Sequence, residues 1–239
     1  LLEGDRGLIT AEDVEGHINP ENDVHRPLTT LVEVENTMNK GGGACYALKE
    51  LTAIAEVCRK HRLKYHLDGA RLFNALAVTG EKITDYTSLF DSVSICLSKG
   101  LGAPVGSVLL GDKSFILRAR RVRKAFGGAL RQAGYLGAAG IYALDHNIER
   151  LVEDHRRARQ LGELLSEMKY VERVLPFETN IVIFELRKEL PAMQFLDLLK
   201  TYDIHALAMG TNTIRFVTHL DYTEEMLTRT LEVLRGLKL

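Results

Sequence analysis

Short apolar runs alternate with longer segments of helical period along this 239-residue chain, and that alternation restricts the fold more than any other feature. Leu31, Val32 and Val34 mark a strand within residues 28–35. Residues 45–62 follow with Leu48, Leu51, Ile54, Ala55 and Cys58 at helical spacing. Residues 63–67 read as a strand, 69–77 as a helix, and 92–97 and 105–110 as two more strands. Thr10 and Asp13 have the form of a capping box, and Asp112 reads as the N-cap of a helix through Ala125. Gly127 and Gly128 break it, and residues 131–145 predict a helix whose Gly134, Gly137 and Gly140 permit close backbone approach. Beyond Asn147 the pattern turns to a long polar helix over 148–168, strands at 180–186 and 213–218, and a last helix capped by Thr223. Such alternation predicts an α/β protein with a domain boundary near Asn147, giving domains 1–147 and 148–239.

Charge narrows the partners. Lysine plus arginine number 31 and aspartate plus glutamate 32, so no global field draws the chain to nucleic acid or to an anionic membrane. Six basic residues and no acid lie over 118–131, which reads as a solvated helix face or a local basic patch. No apolar run approaches the roughly 20 residues that span a bilayer, and the opening stretch does not read as a signal peptide. Cys45, Cys58 and Cys96 are odd in number with no metal-clamp spacing, so the expectation is reduced thiols, no metal and a cytoplasmic protein.

Two segments carry chemistry. In His66-Leu-Asp68-Gly-Ala-Arg71 the histidine and aspartate are two apart in a strand and share one face. They stand where the strand meets a helix, at the carboxyl end where open α/β sheets gather ligands. A carboxylate there can keep a heterocyclic nitrogen protonated: at about 4 Å and an effective dielectric near 20 the pair is worth about 4 kcal/mol. It can equally cap the next helix. In the second segment Lys99 follows an apolar strand and precedes Gly-Leu-Gly-Ala-Pro-Val-Gly106. A lysine aimed into a cleft is a free-amine nucleophile once desolvated; alone, it reads as a surface lysine in a loop.

Together, Asp68-Gly-Ala-Arg71 and Ser98-Lys99-Gly-Leu-Gly-Ala-Pro-Val-Gly-Ser107 resemble the pyridoxal phosphate (PLP) signature of the threonine aldolases. Glu35-Asn-Thr37, Gly127-Gly128, Arg131-Gln-Ala-Gly134 and Ile214-Arg-Phe-Val-Thr-His219 agree in order, so the resemblance runs from about Leu28 to the C-terminus. It implies an aminotransferase-like fold type I, with part of a large mixed-sheet domain and a small C-terminal α/β domain. It also implies PLP as cofactor, an amino-acid substrate, and a homodimer or homotetramer with shared active sites. Lys99 matches the Schiff-base lysine and Asp68 the partner of the pyridine nitrogen. Arg71 and Arg215 match the arginines that hold the substrate carboxylate, which a planar guanidinium grips with two parallel bonds. Ser98 is a phosphate contact and His66 a cofactor neighbour; Lys124 and Arg131 lie near the active site or a neighbour subunit's.

Two features depart from the pattern. Met38 stands where the family commonly has a histidine near the substrate β-hydroxyl, and a thioether cannot usefully exchange that proton. The resemblance also implies about a hundred residues ahead of Leu1, of the size of a partial domain, with a phosphate loop and a ring-stacking histidine. Three readings follow: a PLP-dependent aldolase making glycine and an aldehyde, a PLP-dependent β-eliminating lyase, and a truncated, non-catalytic relative.

Overall fold

The computed structural model describes residues 1–237 and 239. Helix α1 (Ala11–Gly16) opens the chain behind its capping box, in which Thr10 Oγ1 accepts from Asp13 N and Asp13 accepts from Thr10 N. Strands β1 (Leu31–Glu35), β2 (Lys64–Gly69) and β3 (Ser92–Cys96) are parallel neighbours, and β4 (Ser107–Gly111) closes the sheet antiparallel to β3. The parallel pairs need crossovers. Helix α2 (Leu48–Lys60) supplies the first; α3 (Leu72–Thr79) and α4 (Ile83–Thr87) supply the second.

Alternation along the strands sorts their side chains. Val32, Val34, Tyr65, Leu67, Val93 and Ile95 are buried against Leu51, Ile54 and Cys58 of α2 and Tyr86 of α4. The opposite face carries polar rows in register: Glu33, His66 and Ser92, then Glu35, Asp68 and Ser94. Helices α5 (Lys113–Ala125) and α6 (Gly134–His146) follow β4. Asp112 caps α5 as its sequence predicts, accepting from Phe115 N at 2.8 Å.

Helix α7 (Leu151–Glu167) joins this layer to a second sheet. Its strands β5 (Val171–Val174), β6 (Ile181–Leu186), β8 (Thr213–Val217) and β7 (Leu207–Ala208) lie in that order, all antiparallel. Helices α8 (Ala192–Lys200) and α9 (Glu224–Gly236), with α7, cover one face. Phe184 packs edge-on against Phe195 and Phe216 at the centre, with ring centroids 6.1 and 5.1 Å away. Ile214 and Phe216 enter this core, so Arg215 between them faces the other way, toward the first sheet. A small cluster of Leu101, Ala103, Ala143 and Leu151 lies between the two larger cores.

Candidate active site

The site forms where the carboxyl ends of the parallel strands meet the free face of β8. Strand β3 ends at Cys96, and the chain turns through Ser98 and Lys99. Gly102 N–H donates to Lys99 O at 2.9 Å, and Ala103 N–H to Leu97 O at 2.9 Å. Gly102 has φ +73°, and a Cβ there would lie 2.8 Å from Leu220 Cδ2, so this turn requires glycine. Asn147 Nδ2 donates to Leu101 O at 2.7 Å and holds the turn from the end of α6. Beneath it runs a buried chain of hydrogen bonds. Asn74 of α3 donates to Asn180 Oδ1, Asn180 Nδ2 to Thr218 O, and Thr218 Oγ1 to Asp154 O on α7. This chain of hydrogen bonds ties α3 to the second sheet and to α7, and Asn74 at its head lies against Gly100 of the loop that carries Lys99.

Lys99 and Ser98 line a cavity of about 450 Å³ together with Arg71, Asn180 and His219. Both are solvent-exposed in this chain. Asp68, at the end of β2, is half-buried; its Oδ1 accepts from Ala70 N at 3.0 Å. That contact serves the turn after β2, and Arg71, not Asp68, is the N-cap of α3. His66 lies one pleat back on the same face, its Nδ1 sharing a 2.7 Å hydrogen bond with Ser92 Oγ.

Arg71 and Arg215 converge. Arg71 lines the Lys99 cavity and also a second cavity of about 400 Å³ that includes Arg215, Thr218 and His219. Asn39 Oδ1 accepts from Arg215 Nη1 at 2.7 Å and from Arg71 Nη2 at 3.4 Å. Burial holds the Arg71 guanidinium below its ordinary range; Glu35, 3.7 Å away, opposes this, and the charge of Arg215 adds to it. Asn39 and Glu35 escaped the sequence reading as site residues, because nothing local distinguishes a loop asparagine that bridges two distant arginines.

Other expected neighbours go elsewhere. Met38 packs on the first core, and a Cβ on Gly7 would meet its Cε at 2.2 Å, so the side chain fills space beside the N-terminal segment. Lys124 on α5 and Arg131 before α6 are exposed and line neither cavity. Burial pushes the thiols of Cys45 and Cys58 up to about 12 and about 11, which removes both as nucleophiles near neutrality.

The lysine on its glycine-rich turn, the aspartate on the neighbouring strand end and the paired arginines sit on an α/β scaffold of fold type I, the fold of solved threonine aldolases and aminotransferases. The solved Leishmania major threonine aldolase is similar in fold, with TM-score 0.77 and 23% identity; the match covers 97% of this chain and 68% of that one. The chain belongs to the beta-eliminating lyase family, whose model matches residues 1–189. It is 41% identical over 181 residues to the low-specificity L-threonine aldolase of Candida albicans, covering 75% of this chain and 47% of that protein. It is 39% identical over 221 residues to the low specificity L-threonine aldolase of Escherichia coli K12, covering 92% and 64%. The chain spans about half to two thirds of the length of such curated relatives.

Proposed function

We propose that the full-length protein is a PLP-dependent lyase that cleaves the Cα–Cβ bond of a β-hydroxy-α-amino acid, turning threonine or allo-threonine into glycine and acetaldehyde. One observation carries this reading: Arg71 and His219 line both the cavity of Lys99 and that of Arg215, so an amine and two carboxylate-binding forks lie around two cavities that share a wall. The donor set fits the cofactor. Lys99 would supply an amine for its aldehyde, Asp68 a carboxylate for its ring nitrogen and Ser98 a hydroxyl for its phosphate, with His66 as a neighbour. When bound, PLP supplies the electron sink that makes the Cα–Cβ bond labile.

The chain's own residues do the rest. Arg71 and Arg215 would grip the substrate carboxylate and so fix the orientation of the bonds at its Cα. Asp68 would hold a proton on a ring nitrogen placed beside its carboxylate. The proton leaving the β-hydroxyl needs an acceptor, and with Met38 turned to Gly7, His219, which lines both cavities while His205 lines only that of Arg215, is the histidine that would take it. Domains 1–147 and 148–239 then meet at the substrate. A homodimer or homotetramer goes with this reading, supported by exposed Tyr135, Ile141 and Tyr142 on α6; Lys124 and Arg131 would then serve a neighbour's site. No helix among the described residues is long and apolar enough to cross a membrane, and a cytoplasmic location belongs to the same proposal.

Turnover of L-threonine, L-allo-threonine and L-phenylserine by full-length protein tests the reading. Glycine plus an aldehyde in equal amounts is the expected result. A 2-oxo acid plus ammonia would assign β-elimination instead, and no product from any of the three would overturn the proposal.

A further inference from the structure

Asn39 stands between two cations, Arg71 at the start of α3 and Arg215 on β8 of the second sheet. Its backbone N–H donates to Glu35 Oε2 at 3.1 Å, which fixes the residue at the end of β1. Its side-chain oxygen accepts from both Arg215 and Arg71. Arg71 is 11% exposed at its side chain, and its charge and that of Arg215 repel. Two further donors of the pair, Arg71 Nη1 and Arg215 Nε, are buried without a hydrogen-bond partner. Buried charged donors are normally paired, because leaving one unmade forfeits its solvation.

An amide oxygen suits this position. It has two lone pairs and can receive both forks, yet it carries no net charge. A carboxylate there would neutralise the arginines and close the site to an anion; an apolar side chain would let them swing apart. We propose that Asn39 is the positioning residue of the carboxylate subsite. Its Oδ1 keeps the forks of Arg71 and Arg215 convergent, and its neutrality leaves their positive charge to the carboxylate of an α-amino acid. This rests on the proposed role of the two arginines as carboxylate ligands. Glu35 supports the arrangement from behind, through the Asn39 N–H and the near edge of Arg71.

The test uses the full-length holoenzyme as wild type, Asn39→Asp, Asn39→Ala and Arg215→Ala. Three quantities are read: kcat and KM for L-threonine, the dissociation constant of glycine from the change in cofactor absorbance, and thermal stability. In Asn39→Asp the new carboxylate competes with the ligand. KM and the glycine constant should rise about 10- to 100-fold, the range of a lost charge-assisted bond. Its kcat should change far less, and its thermal stability should hold or rise, because the guanidiniums gain a counter-charge. A residue that merely tied down its loop would not separate stability from affinity in this way. Asn39→Ala should raise KM with kcat again less affected, and it carries the test if Asn39→Asp does not fold. Unchanged glycine affinity in the Asn39 variants, with weakened affinity in Arg215→Ala, overturns the role of Asn39 and leaves the carboxylate site standing. Unchanged affinity in Arg215→Ala as well overturns both.

Discussion

His155 makes the stability of this fold depend on pH in a direction its surroundings dictate. It lies on α7 at 9% exposure, and its Nε2 has no hydrogen-bond partner. Burial, and after it the charge of Arg159, push its pKa from 6.5 down to about 4. The folded value lies below the unfolded one, so between them the unfolded chain binds the extra proton. The stability is therefore fully present above about pH 6.5 and is lost progressively as pH falls toward about 4. Taking the pH from about 7.5 to about 5 removes on the order of 2 kcal/mol through this one group. His155→Leu keeps an apolar side chain of similar size there and deletes the titration. Urea unfolding of the full-length wild type and variant at both pH values isolates the effect, since the other groups titrate in both proteins. The wild type should lose about 2 kcal/mol more than the variant over this interval. Parallel losses would refute the reasoning.

Other outcomes follow from the same contacts. Gly43→Ala should lower stability by about 1–3 kcal/mol by thermal or urea unfolding, because Gly43 has φ +74° and a Cβ would sit 2.1 Å from Thr179 Oγ1. Gly162→Ala on α7 should cost a similar amount, about 1–3 kcal/mol, since its Cβ would meet Phe177 Cε1 and Cζ at 2.6 Å. Gly102→Val, at φ +73° and against Leu220, should shift the turn that carries Lys99 and weaken cofactor retention measured by absorbance after gel filtration, with no core side chain removed. Arg215→Ala should raise KM for L-threonine about 10- to 100-fold in steady-state assays, as expected for one charge-assisted fork.

Much of the fold is legible in the sequence where local chemistry and tertiary need agree. Thr10, Asp112 and Thr223 are capping residues by their own hydrogen bonds, and the structure uses each as an N-cap. The strands that lead to Asp68 and Lys99 declare themselves because they are apolar on one face and chemically loaded at or just beyond one end. Elements defined by their partners are not legible. Helix α4 has five residues, β7 has two, and β5 is a four-residue edge strand without apolar alternation that needs β6 beside it. At the site, Arg71 and Arg215 are visible through motif resemblance, but Asn39 is not, since its role exists only once two sheets bring those arginines within reach. Met38 illustrates the converse. Its place in a motif suggests substrate contact, while its side chain answers to the space beside Gly7. The exposure of Lys99 was likewise hidden, because a strand-end position fixes where a residue stands and not how deeply it is covered.

The assignment of Lys99 as the residue that holds the cofactor is the claim on which the rest depends. Borohydride reduction of the full-length holoenzyme, followed by proteolysis and mass spectrometry, tests it directly. The account predicts a single cofactor-modified peptide that contains Lys99 and is missing in Lys99→Ala, whose visible absorbance should also be lost or shifted to that of unlinked cofactor. A modification on another lysine, or an unchanged spectrum in Lys99→Ala, would contradict it.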